Sequence, residues 1–231
     1  MRLFIIGGIQ KTTLVDFPSK IASIVFTQGC NFRCGYCHNP EIHDFKHESK
    51  YKTEEFIEFL KTRKGKLDGV VITGGEPTLQ SGLYDFIKQI KYLGFAVKLD
   101  TNGSNFNIIK KLINDNLLDY VAMDIKASFD KYDKIIGVHC NIENIKKSIS
   151  LIINSNVDYE FRTTVLKHQL SFDDFEKIGK VLQGAKRYYL QKFVSSNILD
   201  KNLINAQNYT DNELQKICIN LKKYINCVDY R

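Results

Sequence analysis

The spacing of hydrophobic positions along the chain switches between two periods. Residues 21–26 (Ile-Ala-Ser-Ile-Val-Phe) form a short, mostly apolar stretch that reads as a strand. In 53–63, Phe56, Phe59 and Leu60 fall on one face of a helix. Residues 69–73 carry Val-Val-Ile at the centre of a buried strand. Leu83, Phe86, Ile87 and Ile90 then recur at helical spacing, and Gly94 marks the stop. The same alternation continues. Strands are expected over 95–100, 119–126, 158–166 and 187–193, with helices over 107–116, 141–155, 171–182 and 210–225. The last helix opens on Thr210 and Glu213, the T-x-x-E spacing of a capping box.

Six strands, each followed by helical or irregular chain, imply an α/β fold with a parallel sheet and helices outside it. The sheet is either open and doubly wound or curled into a partial (β/α)6 barrel. In both, ligands sit at the carboxyl ends of the strands. No shift of composition or flexible linker divides the chain, so residues 1–231 are expected to form a single domain. Residues 1–20 read as an arm or short hairpin before the first strand, and 196–231 as a C-terminal helical extension.

Composition narrows the class. The chain has 231 residues and is 43% hydrophobic, enough to bury a sizeable core and too apolar for general disorder. The longest apolar runs are about six residues, against the roughly 20 that a membrane-crossing helix needs. The apolar start, 3–6, gives way at once to Gly7 and Gly8, unlike a secretory leader. A reducing, cytoplasmic setting is therefore expected. The net charge of +7 comes from 27 Lys and only 6 Arg, sprinkled along helices beside 27 Ile and 18 Asn. That pattern suggests AT-rich coding and a solvated surface. Nucleic acid is not expected as a partner; the lesser alternative is a docking face for an acidic protein.

Six cysteines then change the picture. Cys30, Cys34 and Cys37 fall within the single loop that follows the first expected strand, spaced C-x3-C-x2-C; Cys140, Cys218 and Cys227 are scattered. Three clustered thiols in a reducing compartment suit an iron–sulfur cluster with one iron left open to a ligand. The competing reading is a structural zinc site with His38 as fourth ligand. Cys218 lies on the apolar stripe of the last helix, and Cys140 and Cys227 at element ends, so these three read as structural.

Polar groups gather at the ends of the other strands. Gly74, Gly75 and Glu76 end one, with a backbone that a ligand can approach closely and a carboxylate suited to an ammonium group. Asp100, Thr101 and Asn102 end the next. Asp124 and Lys126 share a face by the period of two, as do Glu160 and Arg162. Gln191 sits on the last expected strand. Any one of these is ordinary; together they are hard to explain as packing.

The cysteine spacing, with aromatic Tyr36 before the last thiol, resembles the signature of the radical S-adenosylmethionine (radical SAM) superfamily. Gly-Gly-Glu-Pro at 74–77 resembles its methionine-binding motif. Cys-His-Asn-Pro at 37–40, Asp-Thr-Asn-Gly at 100–103, Met-Asp-Ile-Lys at 123–126 and Arg-Thr-Thr-Val at 162–165 resemble the glycyl-radical-enzyme activating enzymes. With the opening stretch 8–18, they are most similar to the short anaerobic ribonucleoside-triphosphate reductase activating subgroup. The resemblance spans roughly 7–195, and no motif match extends beyond 196.

The resemblance implies a partial six-stranded β/α barrel. It implies that Cys30, Cys34 and Cys37 hold one 4Fe–4S cluster, whose open iron is chelated by S-adenosylmethionine. Gly74, Gly75 and Glu76 would take the ammonium, Tyr36 would lie near the adenine, and Asn102 near the ribose or methionine part. Arg162 would approach the carboxylate or ribose; Asp100, Asp124, Lys126 and, more loosely, Gln191 complete the cofactor set. The implied reaction is reductive cleavage to methionine and a 5′-deoxyadenosyl radical, which takes a hydrogen from a glycine Cα of a partner glycyl radical enzyme. A low-potential donor such as flavodoxin or ferredoxin would supply the electron. The pyruvate formate-lyase activators further suggest K⁺ or Na⁺ held by Asp100, Thr101 and Asp124. Residues 39–68 contain no cysteine, so no second cluster is expected there. The alternatives are a pyruvate formate-lyase-type activator, a radical enzyme acting on a small molecule in the manner of the deazapurine carboxylate synthases, and a structural zinc module.

Overall fold

The computed structural model describes residues 4–45 and 49–231 and joins eight strands into one sheet, in chain order from edge to edge. β1 (Ile6–Thr13) pairs antiparallel with β2 (Ala22–Thr27). The parallel part continues through β3 (Gly69–Gly74), β4 (Ala96–Thr101), β5 (Tyr120–Asp124), β6 (Asp158–Val165), β7 (Arg187–Lys192) and β8 (Cys227–Tyr230). The six expected strands are β2–β7, with ends shifted by one or two residues. The arm at the start is a hairpin strand; its residues 1–3 lie outside the described residues.

Period-two alternation separates two packing faces. On β3, Val70 and Ile72 join the large cluster under the helices, with Phe86, Ile87 and Ile90. Those three belong to α2 (Leu83–Tyr92), where helical spacing lines them up on one face. Val71, between them, joins a small second cluster with Ala22, Ile24, Tyr120 and Ala122, on the concave side of the sheet. Phe17, from the turn between β1 and β2, caps that cluster, its ring centroid 6.1 Å from that of Tyr120. The curled sheet is thus a partial barrel plugged at the amino ends of its strands. Its cavity lies at the carboxyl ends.

Helices α1 (Thr53–Lys61), α3 (Phe106–Asn114), α5 (Ile142–Ile153), α6 (Phe172–Val181) and α7 (Asp211–Leu221) match the expected ones. Thr210 and Glu213 form the capping box expected at α7, and Ser171 with Asp174 forms a second at α6. A short helix, α4 (Tyr132–Ile136), was not expected. Little more than one turn long, it offers only Tyr132, Ile135 and Ile136 as a stripe, closed by Gly137 at φ 71°.

The expectation for 196–231 needs correction. This stretch is not purely helical: α7 leads into β8, which adds a parallel strand beside β7. β8 has four residues, and only Val228 among them is buried, too little for a recognisable period. Its identity as a strand comes from the free edge of β7.

Candidate functional site

The cysteine loop leaves the end of β2 and is pinned on three sides. The Cys30 amide donates to the His43 carbonyl at 3.0 Å, and the Arg33 amide to the Ile136 carbonyl at 2.7 Å. The third side comes from the segment after β7. The amides of Leu199 and Asp200 donate to the carbonyls of Cys37 (3.1 Å) and Gly35 (2.8 Å). The His38 ring Nδ1 lies 3.1 Å from the Ser196 carbonyl oxygen. Motif spacing gave no hint of this clamp, because it joins segments far apart in the chain.

All three thiols line one cavity, with Tyr36, Gly74, Gly75 and Glu76 on adjoining walls. Asp100, Thr101, Asn102, Asp124, Lys126 and Arg162 line the same cavity. Of the expected set only Gln191 does not line it: it is half-buried on β7, opposite Thr164 of β6, and Thr164 faces the cavity instead.

Two glycines admit the close approach on which the cavity depends. Gly74 has φ 106°, a left-handed value, and a Cβ there would stand 2.5 Å from the Thr27 amide nitrogen. A Cβ on Gly75 would meet the Gly29 carbonyl oxygen at 2.1 Å. The Glu76 amide donates to that same carbonyl at 2.7 Å, so the glycine turn is stitched to the start of the cysteine loop.

Glu76 is 1% exposed, and its carboxylate is well occupied by the protein. Oε1 accepts from the Thr78 amide (3.1 Å), the Thr78 hydroxyl (2.5 Å) and the Thr101 hydroxyl (2.7 Å); Oε2 accepts from the Asn102 amide at 2.7 Å. Burial pushes its carboxyl up, against the pull of these donors. Glu76 therefore ties the end of β3 to the end of β4. Asn102 carries the tie further: its amide group donates to Asn31 Oδ1 in the cysteine loop at 2.9 Å.

Across the strand ends runs a row of alternating charge. Lys98 donates to Asp100 at 2.6 Å, and Arg162 Nη1 donates to the other Asp100 oxygen at 3.2 Å. Arg162 Nε donates to Asp124 at 2.8 Å, and Lys126 to the other Asp124 oxygen at 2.9 Å. Burial pushes both carboxyls up, but the neighbouring cations outweigh it and hold them below the ordinary range, Asp124 furthest. Burial would likewise lower Lys126 and Arg162, yet Asp124, with Tyr36 and Cys34, raises Lys126 well above normal, and Asp100 with Asp124 raises Arg162. Lys98 was missed, although it stands two residues before Asp100, the same period that linked Asp124 to Lys126. Glu160, expected beside Arg162, instead accepts from the Tyr120 hydroxyl (3.0 Å) and from Arg231 (2.6 Å).

The residues around the thiols fit an iron–sulfur cluster with a sulfonium amino acid beside it. Burial pushes the Cys30 thiol up to about 12 and raises Cys34 as well. Cationic iron at this place would reverse that preference and favour the thiolates. Tyr36 has a buried hydroxyl without a hydrogen-bond partner of ordinary geometry; its neighbour is the Cys34 thiol. Lys126 Nζ stands 5.9 Å from the Tyr36 ring centroid, linking the charge row to the cysteine loop. Carboxylates and cations face one cavity, complementary to a ligand with an ammonium and a carboxylate. Among the described residues, no three His, Cys, Asp or Glu side chains form a site for a single metal ion.

A family model for the Radical SAM superfamily matches residues 24–182. A Methanocaldococcus jannaschii protein assigned as a glycyl-radical enzyme activating enzyme is 35% identical over 235 residues, spanning 98% of this chain and 95% of its own. That similarity runs past residue 196, where motif matching stops. The pyruvate formate-lyase-activating enzyme of Clostridium pasteurianum is 35% identical over 138 residues, 57% of each chain. Among solved structures, QueE from Escherichia coli aligns over 99% of this chain and 93% of its own, with a TM-score of 0.57 and 16% identity, a likeness of fold alone. Among the described residues, no helix is long and apolar enough to cross a membrane.

Proposed function

Since the chain belongs to the radical SAM superfamily and, within it, to the glycyl-radical enzyme activating enzymes, we propose that it installs the glycyl radical of an anaerobic ribonucleoside-triphosphate reductase. The observation that carries this reading is the meeting of three thiols, the glycine turn and the Asp100–Arg162–Asp124 row around one cavity. The choice of reductase rests on the motif set shared with that subgroup, including the opening stretch 8–18.

When bound, the cluster and S-adenosylmethionine supply the one-electron cleavage that releases a 5′-deoxyadenosyl radical. The chain holds and orients them. Cys30, Cys34 and Cys37 would hold the cluster through their thiolates. The Gly74–Gly75 turn lets the methionine part lie against the backbone, where Glu76 fixes the turn and adds negative charge for the ammonium. Arg162 and Lys126 face the carboxylate, and Tyr36 and Asn102 shape the wall for the nucleoside. The whole of residues 1–231 acts as one domain, in a reducing cytoplasm, with flavodoxin or ferredoxin as electron donor.

The test is anaerobic incubation of the reconstituted protein with reductant, S-adenosylmethionine and the reductase, followed by EPR. A glycyl doublet in the reductase supports the reading. A doublet only in another glycyl enzyme, such as pyruvate formate-lyase, reassigns the partner. Deoxyadenosine without any glycyl signal points to a small-molecule substrate. A colourless protein without absorbance near 400 nm would rule out the cluster.

A further inference from the structure

The resemblance carries the expectation of K⁺ or Na⁺ held by Asp100, Thr101 and Asp124, and the surroundings of these residues do not fit it. Three fixed cations already meet the two carboxylates: Lys98 at 2.6 Å, Lys126 at 2.9 Å, and Arg162 at 3.2 and 2.8 Å. The Thr101 hydroxyl donates to Glu76 and accepts from the Gly103 amide at 3.1 Å. A further cation would enter a row that is already net positive, in surroundings where like charges are poorly screened.

Lys98 differs from the other two cations. Lys126 and Arg162 line the cavity, where a ligand's carboxylate can meet them, whereas Lys98 does not line it. Lys98 lies one layer deeper on β4, 3% exposed, its Nζ 6.0 Å from the Tyr120 ring centroid. It therefore keeps Asp100 neutralised when Arg162 engages a ligand.

We propose that Lys98 is the resident cation of this site, a tethered ammonium that sets Asp100, and through it Arg162, where an inorganic monovalent ion was expected. Lys98 is a positioning residue, since it touches Asp100 and not the ligand. The inference rests on reading the cavity as the S-adenosylmethionine site.

The test measures S-adenosylmethionine binding to cluster-loaded protein at equal ionic strength in K⁺, Na⁺ and tetramethylammonium chloride. Wild-type affinity is expected to vary by less than about twofold among the three salts. Lys98→Met should bind at least about tenfold more weakly in tetramethylammonium and regain affinity in K⁺, whose ion can enter the vacated place. Lys98→Arg should bind independently of the salt. A wild-type requirement for K⁺ or Na⁺ overturns the proposal, and so does a Lys98→Met protein equally weak in every salt. If Lys98→Met does not fold, salt dependence in wild type or Lys98→Arg decides against it, and independence in both decides for it. Melting curves of the protein without S-adenosylmethionine separate the two readings. Stabilisation of wild type by K⁺ over tetramethylammonium overturns the role of Lys98 alone; a failure to bind S-adenosylmethionine in any salt overturns the cofactor reading.

Discussion

Arg162 Nε donates to Asp124 at 2.8 Å, and the same guanidinium reaches Asp100 at 3.2 Å. One side chain on β6 thereby spans carboxylates on β4 and β5. A planar guanidinium can serve two acceptors in fixed directions, whereas a lysine ammonium is a point charge on a flexible stem. Arg162→Lys is expected to keep the fold, read by circular dichroism, and to weaken S-adenosylmethionine binding by about ten- to a hundredfold. Unchanged affinity would show that the bridge does not organise the site.

Glu76 binds the protein to itself before it binds any ligand. Glu76→Gln puts an NH2 group where donors from Thr78, Thr101 or Asn102 now point. Unfolding in urea should show a loss of about 1–3 kcal/mol without any ligand present. Stability equal to wild type, with only cofactor affinity reduced, would mean that Glu76 serves the ligand alone.

Asp174 provides a pH-sensitive contribution to stability away from the cavity. It is 1% exposed and accepts from Lys131 at 2.6 Å, Ser128 at 2.7 Å and the Ser171 amide at 2.6 Å. Burial alone would raise its carboxyl, but these donors hold it well below the ordinary range. A folded-state pKa below the unfolded value of about 3.9 means the stabilisation is complete above that pH and fades as pH falls. Asp174→Ala should cost about 2–4 kcal/mol at neutral pH, and the gap to wild type should narrow below about pH 4. A gap independent of pH between 7 and 3 would assign the loss to packing.

The cysteines should divide into two groups by function. Alanine at Cys30, Cys34 or Cys37 is expected to abolish stable cluster binding, read as iron content and absorbance near 400 nm. Alanine at Cys140, exposed Cys227 or buried Cys218 should leave about four irons per chain. Iron near eight per chain in wild type would instead require a second cluster.

The parts legible in the sequence were those whose signal is local. Helix α2 showed in the spacing of Leu83, Phe86, Ile87 and Ile90, and the α7 cap in Thr210 and Glu213, because each contact closes within a few residues. The C-x3-C-x2-C loop was legible for the same reason: its ligands sit on one short segment. Strand β8 was not, since four residues with one buried position carry no period.

By itself, then, the sequence determined the alternation of β2–β7 with their main helices, though not α4 or β8, and with it that chemistry belongs at the carboxyl ends of a parallel sheet. It also determined which thiols and carboxylates are available there. Only the tertiary structure decided what each group faces. Glu76 meets Thr101 and Asn102, Arg162 meets Asp100, and the Leu199 amide meets Cys37, because parallel strands bring distant segments side by side. Lys98 shows the limit most clearly. Its place in the chain, two residues before Asp100, put it on the same face, but only burial beneath the cavity made it a fixed cation rather than a solvated one.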